Sequence, residues 1–314
     1  MPARPIYAPA PREIAAAINA ALGISGQVFS LQNAGSSPTF RVDDETQLFV
    51  KLVSPERWRE LREAEMIARW LEDHGAPAIA ARDLQPPQLP DGQLVVVYPF
   101  ATGRPPHASL DAGALGTGIA RVHSALNYHP DVADWMERTE DRINHLVGIR
   151  AALASGEIAC GPRPDELRSF AGDRSISFLP GAHGSGAPRP LHGDLNIFNL
   201  VIDGAIARFI DFEDVVHSTL SVENDLALVC ERVILVQEPD DTVAAKSIDI
   251  LLDAYVEAGG HPLNRKAMAG VLIGLSLRSL CTLATIDPRG GDVAEWNKFF
   301  TLIEAAHRRR QVFG

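Results

Sequence analysis

Cysteine is scarce in this chain of 314 residues: Cys160, Cys230 and Cys281 are all there is. An odd number so widely spaced excludes a disulfide framework and a Cys-x-x-Cys metal or redox site, and it points to a reducing compartment. The ten histidines form no His-x-x-x-His or His-Glu-x-x-His pattern, which leaves zinc without a site. No Gly-Lys-Ser/Thr pair occurs, so a Walker-type nucleotide loop is excluded, and the absence of Gly-x-Ser-x-Gly removes the best evidence for serine hydrolysis. Basic residues are outnumbered 29 to 40, for a formal charge of -11. That balance disfavours a nucleic-acid partner, which needs clustered Lys and Arg, and suits solubility or a cationic small substrate. Long apolar runs are lacking too. The longest, VLIGLSLRSLCTLATI at 271–286, carries Arg278 and two serines and reads as too short for a membrane span. The Pro-rich start has no signal-peptide core. The expectation is a cytoplasmic protein with no membrane anchor.

What is present is ordinary globular material, 46% hydrophobic and 22% charged, enough for two separate cores. After a short amphipathic helix, the runs QVFSLQN, TFRVD and QLFVKLV between 27 and 53 alternate apolar and polar residues, separated by the turn sequences AGSSP and DET; they predict three antiparallel strands. From Pro55 to His74, Leu61, Ala64, Ile67, Ala68 and Leu71 recur at helical spacing, with Gly75 and Pro77 as a stop. LVVVYPF at 94–100 is a β-branched strand closed by ATGRPP, a natural boundary. Beyond it, helices are predicted around 109–127, 131–154 and 164–179, then a Gly/Pro-rich loop at 180–190, a β island at 191–211, and helices up to Arg310. A β-rich portion, 1–100, followed by a mainly helical one, 101–314, is an α+β arrangement.

The island reads LHGDLNIFNLVIDGAIARFIDFEDV. LVI and IARFI are strand material, and Asp203-Gly204 between them is a hairpin signal. A hairpin returns Asp211 toward the segment bearing Asp194 and Asn199. Two carboxylates and an amide carbonyl are the hard-oxygen donors that magnesium takes, with phosphates and water completing the shell. His192-Gly193-Asp194, with Asn199 five residues on, reproduces the interval of the protein-kinase catalytic loop, and Asp211-Phe212-Glu213 stands where kinases carry Asp-Phe-Gly.

With Gly193 in place of arginine and Glu213 in place of glycine, the segment resembles the aminoglycoside phosphotransferase and choline kinase family of small-molecule kinases. The likeness runs in pieces from 27 to 235 and includes GALGTGIARVHSAL and ENDLALV. It implies a protein-kinase-like two-lobed fold, with residues 1–100 as the nucleotide-binding lobe and 101–314 as the catalytic and substrate-binding lobe. It further implies ATP and magnesium as cofactors, Asp194 serving the acceptor hydroxyl, Asn199 and Asp211 on the metal, and His192 and Asp225 as supports of the catalytic loop. Lys51, in the third strand, would meet the ATP phosphates. Its ion-pair partner would come from Glu60, Glu63 or Glu65 on the following helix, and Glu63 is favoured because it shares a face with Ile67. Ser36 and Ser37 stand where kinases cover the phosphates, and backbone groups near Tyr98 and Phe100 would meet adenine. Glu213, Asp214 and Glu231 are candidates for an ammonium on a small hydroxylated acceptor such as an aminoglycoside, choline, homoserine or hydroxylysine. Competing readings are a catalytically silent kinase-like binding module, a metal-dependent hydrolase on His192, Asp194 and Asp211, and a protein kinase, the last disfavoured by Gly193, Glu213 and the lack of Ala-Pro-Glu.

Overall fold

A computed structural model describes residues 7–31, 37–179 and 186–313. The chain divides into two compact units, Met1–Arg104 with Arg208–Glu213, and Pro105–Ala207 with Asp214–Gly314.

The first unit holds β1 (Tyr7–Pro9), α1 (Arg12–Leu22), β2 (Gln27–Leu31), β3 (Thr39–Asp43), β4 (Gln47–Val53), α2 (Pro55–Asp73) and β5 (Leu94–Pro99). The strands form one antiparallel sheet in the order β1-β2-β3-β4-β5. β1 was not anticipated, because a three-residue strand ending in proline carries no alternation to read. Successive side chains of β4 point to opposite faces. Leu48, Val50 and Leu52 join Ile18, Val28, Phe40, Val42 and Val95 in one core, against which α1 packs Ile14, Ala15, Ala21 and Leu22. Val53 instead packs with Val96, Ala81 and the α2 residues Trp58 and Leu61. Lys51, two residues from Val53 and paired in register with Val96, is therefore on the α2 side of the sheet. The helix starts where Ser54 accepts a hydrogen bond from the Arg57 N–H at 3.2 Å and Pro55 pre-sets its first turn.

The segment after α2 anchors Arg208–Glu213 to this unit. Phe209 N–H donates to the Pro77 carbonyl at 2.8 Å, and Ile79 N–H donates to the Phe209 carbonyl at 2.9 Å. Ala78 and Phe209 thereby form a parallel bridge, which fixes the backbone two residues before Asp211.

The second unit holds α3 (Ala108–Leu126), α4 (Val132–Ser155), α5 (Pro164–Gly172), β6 (Arg189–Pro190) and β7 (Leu200–Asp203). β8 (Ile206–Phe209) begins in it, and β9 (Thr219–Leu220), α6 (Glu223–Val229), a π-helical turn Cys230–Leu235, α7 (Asp241–Glu257), α8 (Met268–Ile286) and α9 (Val293–Arg308) complete it. Trp135, Trp296, Tyr255 and Phe300 are fully buried anchors of its core. α3 and α7 meet at Gly116, where a Cβ would stand 2.1 Å from the Leu251 carbonyl oxygen. β7 and β8 pair as expected, with Gly204 at φ 62° in the turn. The short ladder of β6 with β9 was not foreseen, since two residues carry no period.

Two expectations are corrected. α5 stops at Gly172 rather than 179, because the Asp173 side chain accepts the Ser175 N–H at 2.8 Å and Arg150 takes the carbonyls of Ala171, Asp173 and Ile176. The apolar stretch near 271–286 is also longer than the sequence suggested: Arg265–Ile286 is helical and long and apolar enough to cross a membrane by length and composition. Of its most apolar window, however, 67% is buried inside the protein, as befits a core helix.

Candidate active site

In the second unit the segment between β6 and β7 is clamped from below by one carboxylate. Asp225 is fully buried on α6; its Oδ2 accepts the His192 N–H at 2.8 Å and lies 2.9 Å from Nε2 of His123, while its Oδ1 accepts the Gly193 N–H at 2.9 Å. Burial alone would raise the Asp225 carboxyl. The His123 hydrogen bond and charge, the His192 charge and the Gly193 N–H outweigh it and hold the group below the usual carboxylate range. Gly193 has φ 87°, and a Cβ there would stand 2.3 Å from Ser218 Oγ, so this position admits only glycine. His123 is a brace between Asp225 and the Tyr255 hydroxyl, which lies 3.1 Å from its Nδ1.

The clamp presents Asp194. Its Oδ2 accepts from Asn196 Nδ2 at 2.9 Å and from Asn199 Nδ2 at 3.1 Å, and its Oδ1 accepts from Arg232 Nη1 at 2.5 Å. Asn199 is buried, and its amide also donates to the Asp194 carbonyl at 2.9 Å. Asp194 lines a cavity of about 720 Å³ together with Asp214, Glu231, Arg232, Arg142 and Arg278. Arg232 and Glu231 sit on the π-helical turn, a distortion that recurs at functional sites. Burial pushes the Glu231 carboxyl up to about 7, partly offset by Arg232 and Lys298, and its Oε1 is buried without a hydrogen bond. Asp214 lies 3.5 Å from Arg142.

The first unit carries the other named groups. Asp211 has φ 68°, the only non-glycine residue at positive φ among the described residues, and such strain tends to persist where function over-determines a backbone. On α2 the Lys51 charge acts on the carboxyl of Glu65, one of the three glutamates offered from the sequence as its partner. Glu65 Oε1 accepts from the Tyr98 hydroxyl at 2.6 Å and its Oε2 accepts the Ala81 N–H at 2.9 Å. Burial raises its carboxyl, and the Asp211 charge adds to that; Tyr98, Ala81 and Lys51 oppose it. What orders Glu65 lies outside the helix. Glu65 and Glu72, seven residues apart, serve backbone N–H groups of Ala81 and Ala80 in the segment packed alongside, a demand that helical periodicity cannot report.

Glu213 is likewise committed within this unit: Arg57 Nη2 donates to both its oxygens at 2.7 and 2.6 Å. Burial and Asp211 raise its carboxyl against the pull of Arg57 and Lys51. In the stretch near Tyr98 and Phe100, whose backbone groups the sequence offered to adenine, the Phe100 N–H donates to the Gln47 carbonyl at 3.1 Å and the Tyr98 hydroxyl donates to Glu65. Ser37 is a partly buried bend; Ser36 lies outside the described residues. Among the described residues no cluster of three or more His, Cys, Asp or Glu side chains is preassembled around a metal. The donor chemistry nonetheless fits magnesium, which is bound by one or two carboxylates plus phosphate and water rather than by an all-protein cage. The Asn199 amide, pinned through its N–H groups, leaves its carbonyl oxygen without a hydrogen bond from a described residue.

A family model, the phosphotransferase enzyme family (APH), matches residues 30–268. No curated protein matches the chain. Among solved structures, the chain is similar to a macrolide 2′-phosphotransferase from Brachybacterium faecium, with TM-score 0.62 and 14% identity over 93% of this chain and 98% of that one. It is similar to a choline/ethanolamine kinase family protein from Mesorhizobium loti, with TM-score 0.59 and 16% identity over 96% and 98%. It is also similar to a spectinomycin phosphotransferase in complex with ADP and spectinomycin, with TM-score 0.52 and 14% identity over 99% and 100%. At these identities the likeness establishes the fold, which is α+β and protein-kinase-like.

Proposed function

The chain belongs to the phosphotransferase enzyme family, and from that premise we propose that it transfers the γ-phosphate of ATP to a hydroxyl of a small molecule seated in the cavity beside Asp194. The observation that carries the reading is the state of Asp194. An ionised carboxylate offers about four lone-pair sites, and Arg232, Asn196 and Asn199 fill three of them. One remains, on a side chain that lines a cavity of about 720 Å³, a volume suited to a small-molecule ligand.

In the proposed step the acceptor O–H points at Asp194, which orients it and takes its proton. The acceptor oxygen forms a bond to the γ-phosphorus as the bond from that phosphorus to the bridging oxygen of ADP breaks. Lys51, steadied by Glu65, neutralises phosphate charge. Magnesium, held by Asn199 and Asp211, would supply further charge neutralisation on the phosphates. A structural relative bound to ADP supports the choice of nucleotide. Most of the rate enhancement would come from positioning and fixed charges rather than from covalent chemistry.

The test is ADP release from MgATP across hydroxylated metabolites, amino alcohols and antibiotics, with Asp211→Ala alongside. Turnover with one acceptor class is expected, and Asp211→Ala should weaken magnesium-dependent nucleotide binding by about tenfold or more. An unchanged nucleotide affinity in that variant would contradict the role given to Asp211. Failure of the wild-type protein to bind MgATP at all would sink the kinase reading.

Glu231 gives a second expectation. With its carboxyl near 7, it is mostly protonated at pH 6 and mostly ionised at pH 8. The KM for the acceptor should therefore change across an inflection near pH 7, while the KM for ATP should not. Glu231→Gln should remove that inflection, and an identical profile in the variant would show that Glu231 does not face the acceptor.

A further inference from the structure

The cavity beside Asp194 is lined by four basic side chains, Arg142, Arg232, Arg278 and Lys298, and four acidic ones, Asp194, Asp214, Glu231 and Glu295. Three pairs account for six of these: Arg232 with Asp194 at 2.5 Å, Lys298 with Glu295 at 2.8 Å, and Arg142 with Asp214 at 3.5 Å. Arg278 is left over. Its guanidinium makes no hydrogen bond or ion pair with any described residue, although it is partly buried and shares its surroundings with two other arginines. Burial, with Arg142 and Arg232 adding to it, pulls the group down to about 10 against the charges of Asp214 and Asp225.

Such an arrangement is costly. A guanidinium taken out of water and left without a counter-charge loses hydration that nothing in the free protein returns. The cost is not forced by the fold, because Arg278 interrupts α8, an otherwise apolar core helix. The cavity-facing side of that helix is itself specialised: Ser276, Ser279 and Thr282 line the cavity at helical spacing around Arg278. A planar fork with five donors, presented to an open space beside the reacting carboxylate, is the usual receptor for a carboxylate or phosphate.

We infer that the phosphate acceptor carries an anionic group, a carboxylate or a phosphate monoester, that docks on the guanidinium of Arg278 while its hydroxyl meets Asp194. The inference rests on the proposed transfer to a molecule in this cavity and adds its substrate class: hydroxylated acids rather than the purely cationic acceptors that the acidic composition suggested. Glu231, the other charged lining residue outside these pairs, has its Oε1 buried without a hydrogen bond from a described residue and can take a hydroxyl or amine of the same molecule.

The experiment reads Arg278 directly. Protein carrying ¹⁵Nε-labelled arginine, its Arg278 signal assigned by Arg278→Lys, is titrated with formate and separately with inorganic phosphate, without nucleotide. A single Arg–anion contact implies half-saturation around the millimolar range. A saturable shift confined to Arg278 and its neighbours supports the inference, and the tighter of the two probes distinguishes carboxylate from phosphate ester. No saturable shift with either probe overturns it. The formate titration is repeated with a saturating non-hydrolysable ATP analogue and magnesium. Retained binding places the anion on the acceptor, whereas competition assigns Arg278 to the nucleotide's phosphates and overturns the inference. Because the first titration needs no nucleotide, its outcome is separate from whether the protein binds ATP. In ADP release, hydroxylated acids tested beside their neutral amides should be favoured by about tenfold or more in kcat/KM, and Arg278→Gln should erase that preference without changing the KM for ATP. A preference for the amides would overturn the assignment, and the melting temperature of Arg278→Gln checks that a loss is not misfolding.

Discussion

Asp194→Asn is expected to lower kcat for phosphoryl transfer by about a hundred- to ten-thousandfold, the range for removing a general base, and to leave nucleotide affinity within about twofold. The substitution keeps the size of the side chain and removes its charge. Three donors converge on the native carboxylate, Arg232 on one oxygen and Asn196 with Asn199 on the other. An asparagine can present an oxygen to only one of those sides, so its own N–H groups must face either the guanidinium or the two amides. With the amide oxygen toward the guanidinium a lone pair remains, but on a neutral amide far too weak a base to take the acceptor proton; in the other orientation an N–H stands in its place. Steady-state kinetics with the preferred acceptor, beside nucleotide titration, check the split. A variant with the parent kcat would strip Asp194 of its role, whereas equal losses in kcat and nucleotide affinity would point to a collapsed loop rather than to lost base catalysis.

What was legible in the sequence is what local chemistry dictates. Alternation placed β2, β3 and β4, and a β-branched run placed β5, to within about two residues at each end. The Asp203-Gly204 dipeptide placed the turn between β7 and β8. The five-residue interval from Asp194 to Asn199 put one amide within reach of the carboxylate it serves. Side chains whose partners are distant in the chain were harder to read. Glu65 meets Tyr98, 33 positions away, and Arg232 meets Asp194, 38 positions away; helical periodicity carries no information about either pairing. Glu213 was offered to an ammonium on the acceptor, yet Arg57, 156 positions earlier, holds both its oxygens. The segment Arg208–Glu213 belongs to the first unit although its neighbours on both sides belong to the second, an assignment made by backbone bonds to Pro77 and Ile79 that no composition shift announces. Arg278 was read only as an interruption of an apolar run, and its meaning depends on which side chains around it are already paired.

Asp225→Ala should cost about 3–5 kcal/mol of stability, the range for breaking a buried charge network from one side. The carboxylate is fully buried and serves two backbone N–H groups and an imidazole, so its removal strands three polar groups at once. A fall of about 5–15 °C in the melting transition of the helical unit follows from that loss. Asp225→Asn should be nearly as damaging, because an amide nitrogen would face a donor where an oxygen now accepts. The pH dependence separates this account from simple loss of packing. The folded Asp225 carboxyl lies below its unfolded value of about 3.9, so its contribution is fully present above that value and is lost as pH falls through the folded pKa. Acid unfolding of the wild type should therefore show this proton uptake, and Asp225→Asn, with no carboxyl to protonate, should lose stability less steeply below about pH 4. Parallel acid-unfolding curves for the two proteins would mean that the three bonds to Asp225 contribute no charge-dependent stability and that the loop bearing Asp194 is held by packing alone.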